Sequence, residues 1–289
     1  MTLKVVGGIY LEYSEFPTQE VIYGSGGRAA FSIQELNPDC TLSSFVGKDY
    51  QDHIDYHANK VWKTALTAYS VPRTVSFYYF HGLSTPIIRP TRLPFPNSPK
   101  IKVSGDCILQ FGMLEGEVEV HGNRVVYDPQ NPETPNHFHD MGSTGEEITY
   151  ILNKKEARIL ANTDDIEQAA NILLKHKNVS VVIIKSGALG ALVCTNEQNW
   201  NIKAYETPFI WPVGSGDIFA AVFAHFWGCL GYNAYDSAFY ASRGVALYCS
   251  RQTLPLKRDQ LLANRFKYLE FEPKKLPHET TIYIAGPFF

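Results

Sequence analysis

The sequence predicts an α/β fold, a mostly parallel sheet carrying helices on its faces. Two observations predict it. Between Leu3 and Val46 the chain reads as strand, glycine turn, helix and strand, and from Tyr150 onward strands and helices alternate more regularly. Parallel neighbours need a crossover connection, so this alternation is the pattern that builds such a sheet.

Each element follows from local composition. Leu3 to Tyr10 is a short apolar run suited to a buried strand. Val21 to Ser25 leads through Gly26-Gly27 into helix-compatible Arg28 to Leu36, closed by Asn37-Pro38, and Thr41 to Val46 is the next strand. The alternation then pauses. Val75 to Phe80 and the proline-rich Pro86 to Pro99 read as strand plus edge or lid material, since proline cannot serve a central strand. Ile108 to Phe111 and Val125 to Asp128 are strands with no helix easily placed between them. A Pro-, Asn- and His-rich loop follows from Pro129 to Ser143. Tyr150 to Asn153, helices near Lys154 to Ala161 and Asp165 to His176, and strands Val179 to Lys185 and Ala191 to Thr195 complete the regular part. An apolar helix after Asp217 and another over Ala234 to Ser250 come last.

Bulk composition narrows the function. A chain of 289 residues, 45% hydrophobic and 19% charged, can bury a substantial core as one large domain or two small ones. A net charge of -3 without a basic stretch gives no footprint for nucleic acid or an anionic membrane, so a small-molecule ligand is expected. Five dispersed cysteines without C-x-x-C spacing read as buried thiols of a reducing cytosol. The amino terminus lacks the apolar core of a secretion signal and no run is long enough to span a bilayer. A cytoplasmic enzyme or binding protein is the expectation.

The chemistry concentrates at Gly214-Ser215-Gly216-Asp217, directly before the apolar run Ile218 to Ala224. A carboxylate in the first turn of so apolar a helix is costly to bury without a use. Glycines let a ligand approach the free amides at a helix start, where the dipole favours negative charge. The four residues fit a phosphoryl cradle with an acid at its edge, and equally a plain helix start capped by Asp217.

These features resemble the ribokinase-like family of carbohydrate and nucleoside kinases, the PfkB family, over about residues 3 to 255. Gly214-Ser215-Gly216-Asp217 resembles the family's G-A-G-D signature, in which Asp217 would be the catalytic base and Gly214, Ser215 and Gly216 the anion hole. Asn153-Lys154-Lys155-Glu156 resembles the N-x-x-E motif, implying that Asn153 and Glu156 help place magnesium and phosphate, though the same residues suit a capping box. Ile183 to Ala191 is similar to the strand and glycine turn beside the nucleotide. Gly187 and Gly190 would line it, and Lys185, where the family usually has Thr, would contact phosphate or reach solvent. Tyr23 to Ala30 resembles the sugar-binding glycine motif, with Gly26 and Gly27 at the substrate and Gly47-Lys48-Asp49 following. Glu12 would stand where many members use Asp for substrate hydroxyls.

The resemblance implies a three-layer α/β/α sandwich with a small β lid, formed by segments near 11 to 23 and 74 to 90 of a kinase domain spanning 1 to 275. It implies ATP and Mg2+ as cofactors, leaves a monovalent cation open, and suggests a homodimer paired through the lid. The expected activity is phosphorylation of a hydroxymethyl group of a sugar or nucleoside. Trp211 and Pro212, where the family commonly has Asp-Thr, and Ala29, where it has Asn, depart from the pattern. These departures support a rival reading, a catalytically weakened kinase-like domain that binds a nucleotide or sugar and regulates an attached nucleoside-processing domain. Trp211 and Tyr10 offer stacking surfaces for a flat group, or fill core space. The strand-like run Ile282 to Phe289 either docks on the domain or, as the first strand of a second domain after a linker from 276, resembles the opening of nucleoside 2-deoxyribosyltransferase-like proteins.

Overall fold

A computed structural model describes residues 1 to 270 apart from 210, 252 and 264. The linker and second-domain strand expected over 276 to 289 lie outside the described residues. The strands are β1 (Leu3–Val6), β2 (Leu11–Phe16), β3 (Gln19–Ile22), β4 (Thr41–Gly47), β5 (Ala65–Val71), β6 (Ser76–His81), β7 (Ile87–Arg89), β8 (Ile101–Phe111), β9 (Val118–Asp128), β10 (Thr144–Asn153), β11 (Val179–Lys185), β12 (Ala191–Thr195) and β13 (Asn199–Ile202). The helices are α1 (Gly24–Ser32), α2 (Gln51–Tyr56), α3 (Lys154–Ala161), α4 (Ile166–Leu173), α5 (Ser215–Phe223), α6 (Ala234–Arg251) and α7 (Arg258–Leu262).

Nine strands form one sheet in the order β13-β12-β11-β10-β9-β8-β1-β4-β5, parallel throughout except that β12 runs antiparallel to both β11 and β13. The remaining four form a small sheet, β3-β2-β6-β7, entered directly from the carboxyl ends of β1 and β5. Alternate residues of the central strands feed two cores. Val5, Leu109, Val126 and Ile183 pack toward α1, α5 and α6, whereas Val6, Ile108, Val125 and Ile184 pack on the opposite face with α3 and α4. Buried on both faces, these strands read as continuous apolar runs.

The missing helix between β8 and β9 has a structural answer. The two strands pair in parallel from Ile101↔Val118 to Phe111↔Asp128. The connection from Phe111 to Val118 reaches at most about 25 Å, less than the ~33 Å of a straight strand of this length. The strands must therefore fold back on themselves. Gly105, Gly122 and Gly145 stand in register at the fold, where a Cβ on Gly122 would lie 2.9 Å from Val125 Cγ2 and 3.1 Å from the Gly105 carbonyl oxygen. Only glycine tolerates so close an approach. On that face the expected helical layer is replaced locally by strand, residues 101 to 105 and 118 to 122.

Helix α1 also differs from expectation, beginning at Gly24 rather than Arg28. Its glycines are helix positions used for close packing. The Gly26 amide donates to the Gly8 carbonyl at 2.9 Å, and a Cβ on Gly26 would meet the Gly7 carbonyl oxygen at 2.4 Å. This contact draws the start of α1 against the exit of β1. Residues 51 to 62 were not anticipated as helical and form α2 continued by a wider turn that seats Trp62 in the core.

Candidate active site

The carboxyl edge of the large sheet, where open α/β sheets bind ligands, gathers Asp128, Asn153 and Lys185 at the ends of β9, β10 and β11. Facing them is the start of α5. Gly214 takes φ +79, the left-handed region that favours glycine, and turns the chain into the helix. Of the expected cradle, Ser215 is diverted: its amide and hydroxyl both donate to the Pro212 carbonyl, at 3.1 and 2.8 Å. Gly216 and Asp217 follow within the first helical turn, where amides lack intrahelical acceptors and the dipole is positive. With the Ser215 amide turned to Pro212, the amides of Gly216 and Asp217 are left at this helix start without intrahelical acceptors.

Asp217 is buried, and both of its oxygens are engaged. Arg28 Nη1 donates to Oδ2 at 2.8 Å, and Gln130 Nε2 donates to Oδ1 at 2.6 Å. The other arm of the Arg28 guanidinium pairs with Glu12 Oε2, while Glu12 Oε1 accepts from the Gly24 amide at 3.0 Å. Arg28 is 3% exposed and lies over the Tyr23 ring. Burial opposes its charge, but Glu12 and Asp217 outweigh it and hold its pKa above the ordinary guanidinium value.

A second charged cluster stands on the other side of the helix start. Lys185 Nζ donates to Asp128 Oδ2 at 2.6 Å. A Cβ on Gly216 would lie only 3.2 Å from that nitrogen, so the ammonium sits beside the first turn of α5. Burial opposes the Lys185 charge, and Asp128 followed by Glu156 outweighs it, raising its pKa. Asp128 itself is pushed up by burial against the pull of Lys185. Asn153 and Glu156 form a reciprocal cap: the Glu156 amide donates to Asn153 Oδ1 and the Asn153 amide donates to Glu156 Oε2, each at 2.9 Å. Burial, then the Asp128 charge, raises Glu156 to about 7.

Two clefts meet at Pro212 and the α5 start. The first, of about 300 Å³, is polar at its floor, with Glu12, Arg28, Gln130 and Asp217, and is walled by Tyr10, Phe77 and Tyr79. The second, of about 410 Å³, is largely apolar, opens between the β11–β12 turn, α5 and α6, and carries Lys185, Gly187, Gly190 and Gly216. Such a cleft suits a flat apolar group bearing anions at one end.

The predicted residues thus divide. Asp217, Gly214, Ser215, Gly216, Lys185, Gly187, Gly190 and Glu12 line the clefts. Gly26 and Gly27 do not: a Cβ on Gly27 would meet Trp62 at 2.9 Å, so both glycines serve packing, and Gly24, Ser25 and Arg28 line the first cleft instead. Gly47 and Asp49 serve the small sheet, the Asp49 carboxylate accepting from the Thr74 amide and hydroxyl at the entry to β6. Trp211 is buried in the core and edges the second cleft. Sequence reasoning missed Arg28, Asp128 and Gln130. The signal available was Arg28 itself, a charge inside the apolar Gly-Gly-Arg-Ala-Ala stretch that requires a partner.

Residues 119 to 251 match the family model described as pfkB family carbohydrate kinase. Among solved structures, ribokinase from Thermotoga maritima aligns over 90% of this chain and 98% of its own, with 16% identity and a TM-score of 0.63. Ribokinase from Giardia lamblia covers 90% and 97%, with 14% identity and a TM-score of 0.69. Phosphofructokinase-2 from Escherichia coli covers 90% and 97%, with 13% identity and a TM-score of 0.66. The fold is ribokinase-like. No curated protein matches the sequence significantly. The family match, carried on this fold, supports a sugar kinase, a transferase. Among the described residues no helix is long and apolar enough to cross a membrane.

Proposed function

We propose that the protein transfers the terminal phosphoryl group of ATP to a hydroxymethyl group of a sugar or nucleoside, with Asp217 as the base. The observation that carries this reading is the meeting of two unlike clefts at one helix start, with Asp217 facing the first and Lys185 the second. ATP in the apolar cleft would direct its phosphates at Lys185 and the α5 amides. The acceptor would lie in the polar cleft against the aromatic wall of Tyr10, Phe77 and Tyr79, which suits a sugar face or a base. Asp217 would take the hydroxyl proton as the oxygen attacks, and the amides of Gly216 and Asp217 would neutralise charge on the moving phosphoryl group.

Magnesium fits this arrangement as a hydrated ion. Asn153 Oδ1 and Glu156 Oε2 are occupied by the helix cap, and among the described residues no cluster of three or more His, Cys, Asp or Glu side chains is set to hold a metal. Glu156, Asn153 and Asp128 would hold the ion through water while the phosphates supply direct oxygens. When bound, it would offset phosphate charge.

A second reading, a domain that binds without transferring, draws on one observation: Glu12 and Asp217 both have their two oxygens engaged within the protein. One assay separates the two. The protein is incubated with ATP, Mg2+ and a panel of pentoses, hexoses and nucleosides, and phosphorylated product is followed in wild type and Asp217→Asn. Transfer reduced on the order of 10²- to 10⁴-fold by the substitution, with binding kept, is expected. Ligand binding without product in wild type would favour the sensor.

A further inference from the structure

The feature of the site that phosphoryl transfer does not by itself explain is that each oxygen of Asp217 already accepts a hydrogen bond from a protein side chain. Its two hydrogen-bond partners are unequal. Arg28 cannot leave: it is 3% exposed, crosses to Glu12, lies over Tyr23, and a Cβ on Gly214 would stand 2.2 Å from its Nε. Removing it would strand two buried carboxylates. Gln130 can leave. It is only partly buried, stands alone after Pro129 at φ +46, and belongs to the link between β9 and β10. Its backbone amide is anchored on Asp128 Oδ1 at 3.3 Å, while its side chain reaches into the polar cleft to donate to Asp217 Oδ1 at 2.6 Å.

An acceptor hydroxyl that is to lose its proton to Asp217 must approach as a hydrogen-bond donor to a carboxylate oxygen. Each carboxylate oxygen can accept two hydrogen bonds, but Oδ2 is turned to the fixed guanidinium, and Oδ1 is the oxygen to which Gln130, itself lining the polar cleft, already donates an N–H where the incoming O–H would donate. We propose that Gln130 is a stand-in for the acceptor: its amide covers the base in the absence of substrate, keeps water from it, and is displaced by the hydroxyl group when the acceptor binds. The inference rests on the kinase reading above and adds an element of specificity to it. Water can replace the amide's hydrogen bond but gains nothing from the aromatic wall of Tyr10, Phe77 and Tyr79, whereas a sugar or nucleoside gains both. The suppressed side reaction is hydrolysis, in which a water oxygen attacks the terminal phosphorus, the bond to the ADP oxygen breaks and the water proton passes to Asp217.

The test uses the full chain with Gln130→Ala and Gln130→Met, the second keeping bulk without a donor. ADP release from ATP and Mg2+ is measured without acceptor, and transfer is measured across the acceptor panel in the same preparations, with circular dichroism confirming the fold. Loss of one hydrogen bond to a charged group predicts acceptor-independent hydrolysis raised by about tenfold or more in both variants. It also predicts an acceptor KM unchanged or lowered, and no rise in hydrolysis when Asp217→Asn is added. Unaltered hydrolysis in variants that still transfer as wild type does would overturn the role of Gln130 and leave the kinase reading standing. A raised acceptor KM without extra hydrolysis would overturn it too, making Gln130 a substrate ligand. Absence of both transfer and hydrolysis in wild type would overturn the kinase reading and this inference with it.

Discussion

Arg28 and Asp217, 189 residues apart in the chain, are joined by a 2.8 Å hydrogen bond in a site from which both side chains are nearly excluded from water. The bond ties the start of α1 to the start of α5, and through Glu12 to the small sheet. Replacing Arg28 by Ala leaves two buried carboxylates without a counter-charge. The expected loss is about 3 to 5 kcal/mol in urea unfolding, since breaking a buried ion pair costs more than the pair contributes. Arg28→Lys keeps the charge but not the planar fork that spans two acids, so its loss should fall between. An Arg28→Ala variant within 1 kcal/mol of wild type would show that the triad relaxes freely.

Lys185 and Asp128 invite a double-mutant cycle. Lys185→Met should weaken the protein because Asp128, already pushed up by burial, loses the one cation that its carboxylate meets at 2.6 Å. Adding Asp128→Asn should restore part of that stability, giving a coupling of about 1 to 3 kcal/mol between directly touching groups. Activity should not recover in the double variant. On the proposed reading Lys185 meets the phosphates, so removing its charge should lower turnover by roughly 10², and neither substitution replaces it. Recovery of turnover together with stability would assign Lys185 a structural part only.

Two glycines with positive φ allow strain to be separated from collision. Gly187, at φ +57 in the β11–β12 turn, has open space around it, so Gly187→Ala should cost only the left-handed backbone term, about 1 to 2 kcal/mol. Gly24, at φ +62, would place a Cβ 2.5 Å from the Gly8 carbonyl oxygen and 2.7 Å from the Tyr10 nitrogen. Gly24→Ala should therefore cost more, and by shifting the start of α1 it should also disturb the Arg28 pairing. Chemical denaturation of the two variants side by side reads the difference, and equal losses would contradict it.

How much of this was legible in the sequence depends on how local the cause is. The Gly214 to Asp217 turn could be read because glycine conformation, helix dipole and an unwanted buried acid act over four adjacent residues. The Asn153 and Glu156 pair could be read twice, and the structure contains the capping box that a spacing of three always permits. The fold-back of β8 and β9 was not legible, since it depends on three glycines aligned across strands rather than along one. Gly26 and Gly27 were assigned to substrate because a glycine needed for packing against Gly7 and Trp62 looks identical, in sequence, to one needed beside a ligand. Arg28 lay between the two cases: its burial was foreseeable, but its partners come from segments 16 and 189 residues away.

Glu115 gives a prediction in which pH isolates one group. It is 2% exposed beneath the first cleft, where its Oε2 accepts from the Tyr10 hydroxyl and the Leu114 amide, both at 3.1 Å. Burial raises its pKa to about 7 despite these donors. In the unfolded chain it should titrate near 4.3. Below that value both states hold the proton and Glu115 brings no penalty. As pH rises toward 7 the unfolded chain releases the proton while the folded protein keeps it, so stability falls across this window and levels off above it. The difference corresponds to roughly 4 kcal/mol. Glu115→Gln retains a carbonyl oxygen for both donors but cannot ionise. The variant should therefore gain on wild type steadily between about pH 4.5 and 7, and by no more thereafter. Subtracting urea unfolding curves of the two proteins at each pH removes the contributions of Asp128 and Glu156, which titrate in both. A flat difference across that window would mean that Glu115 is solvated in the folded protein, and that the Tyr10 wall of the cleft is looser than its hydrogen bonds indicate.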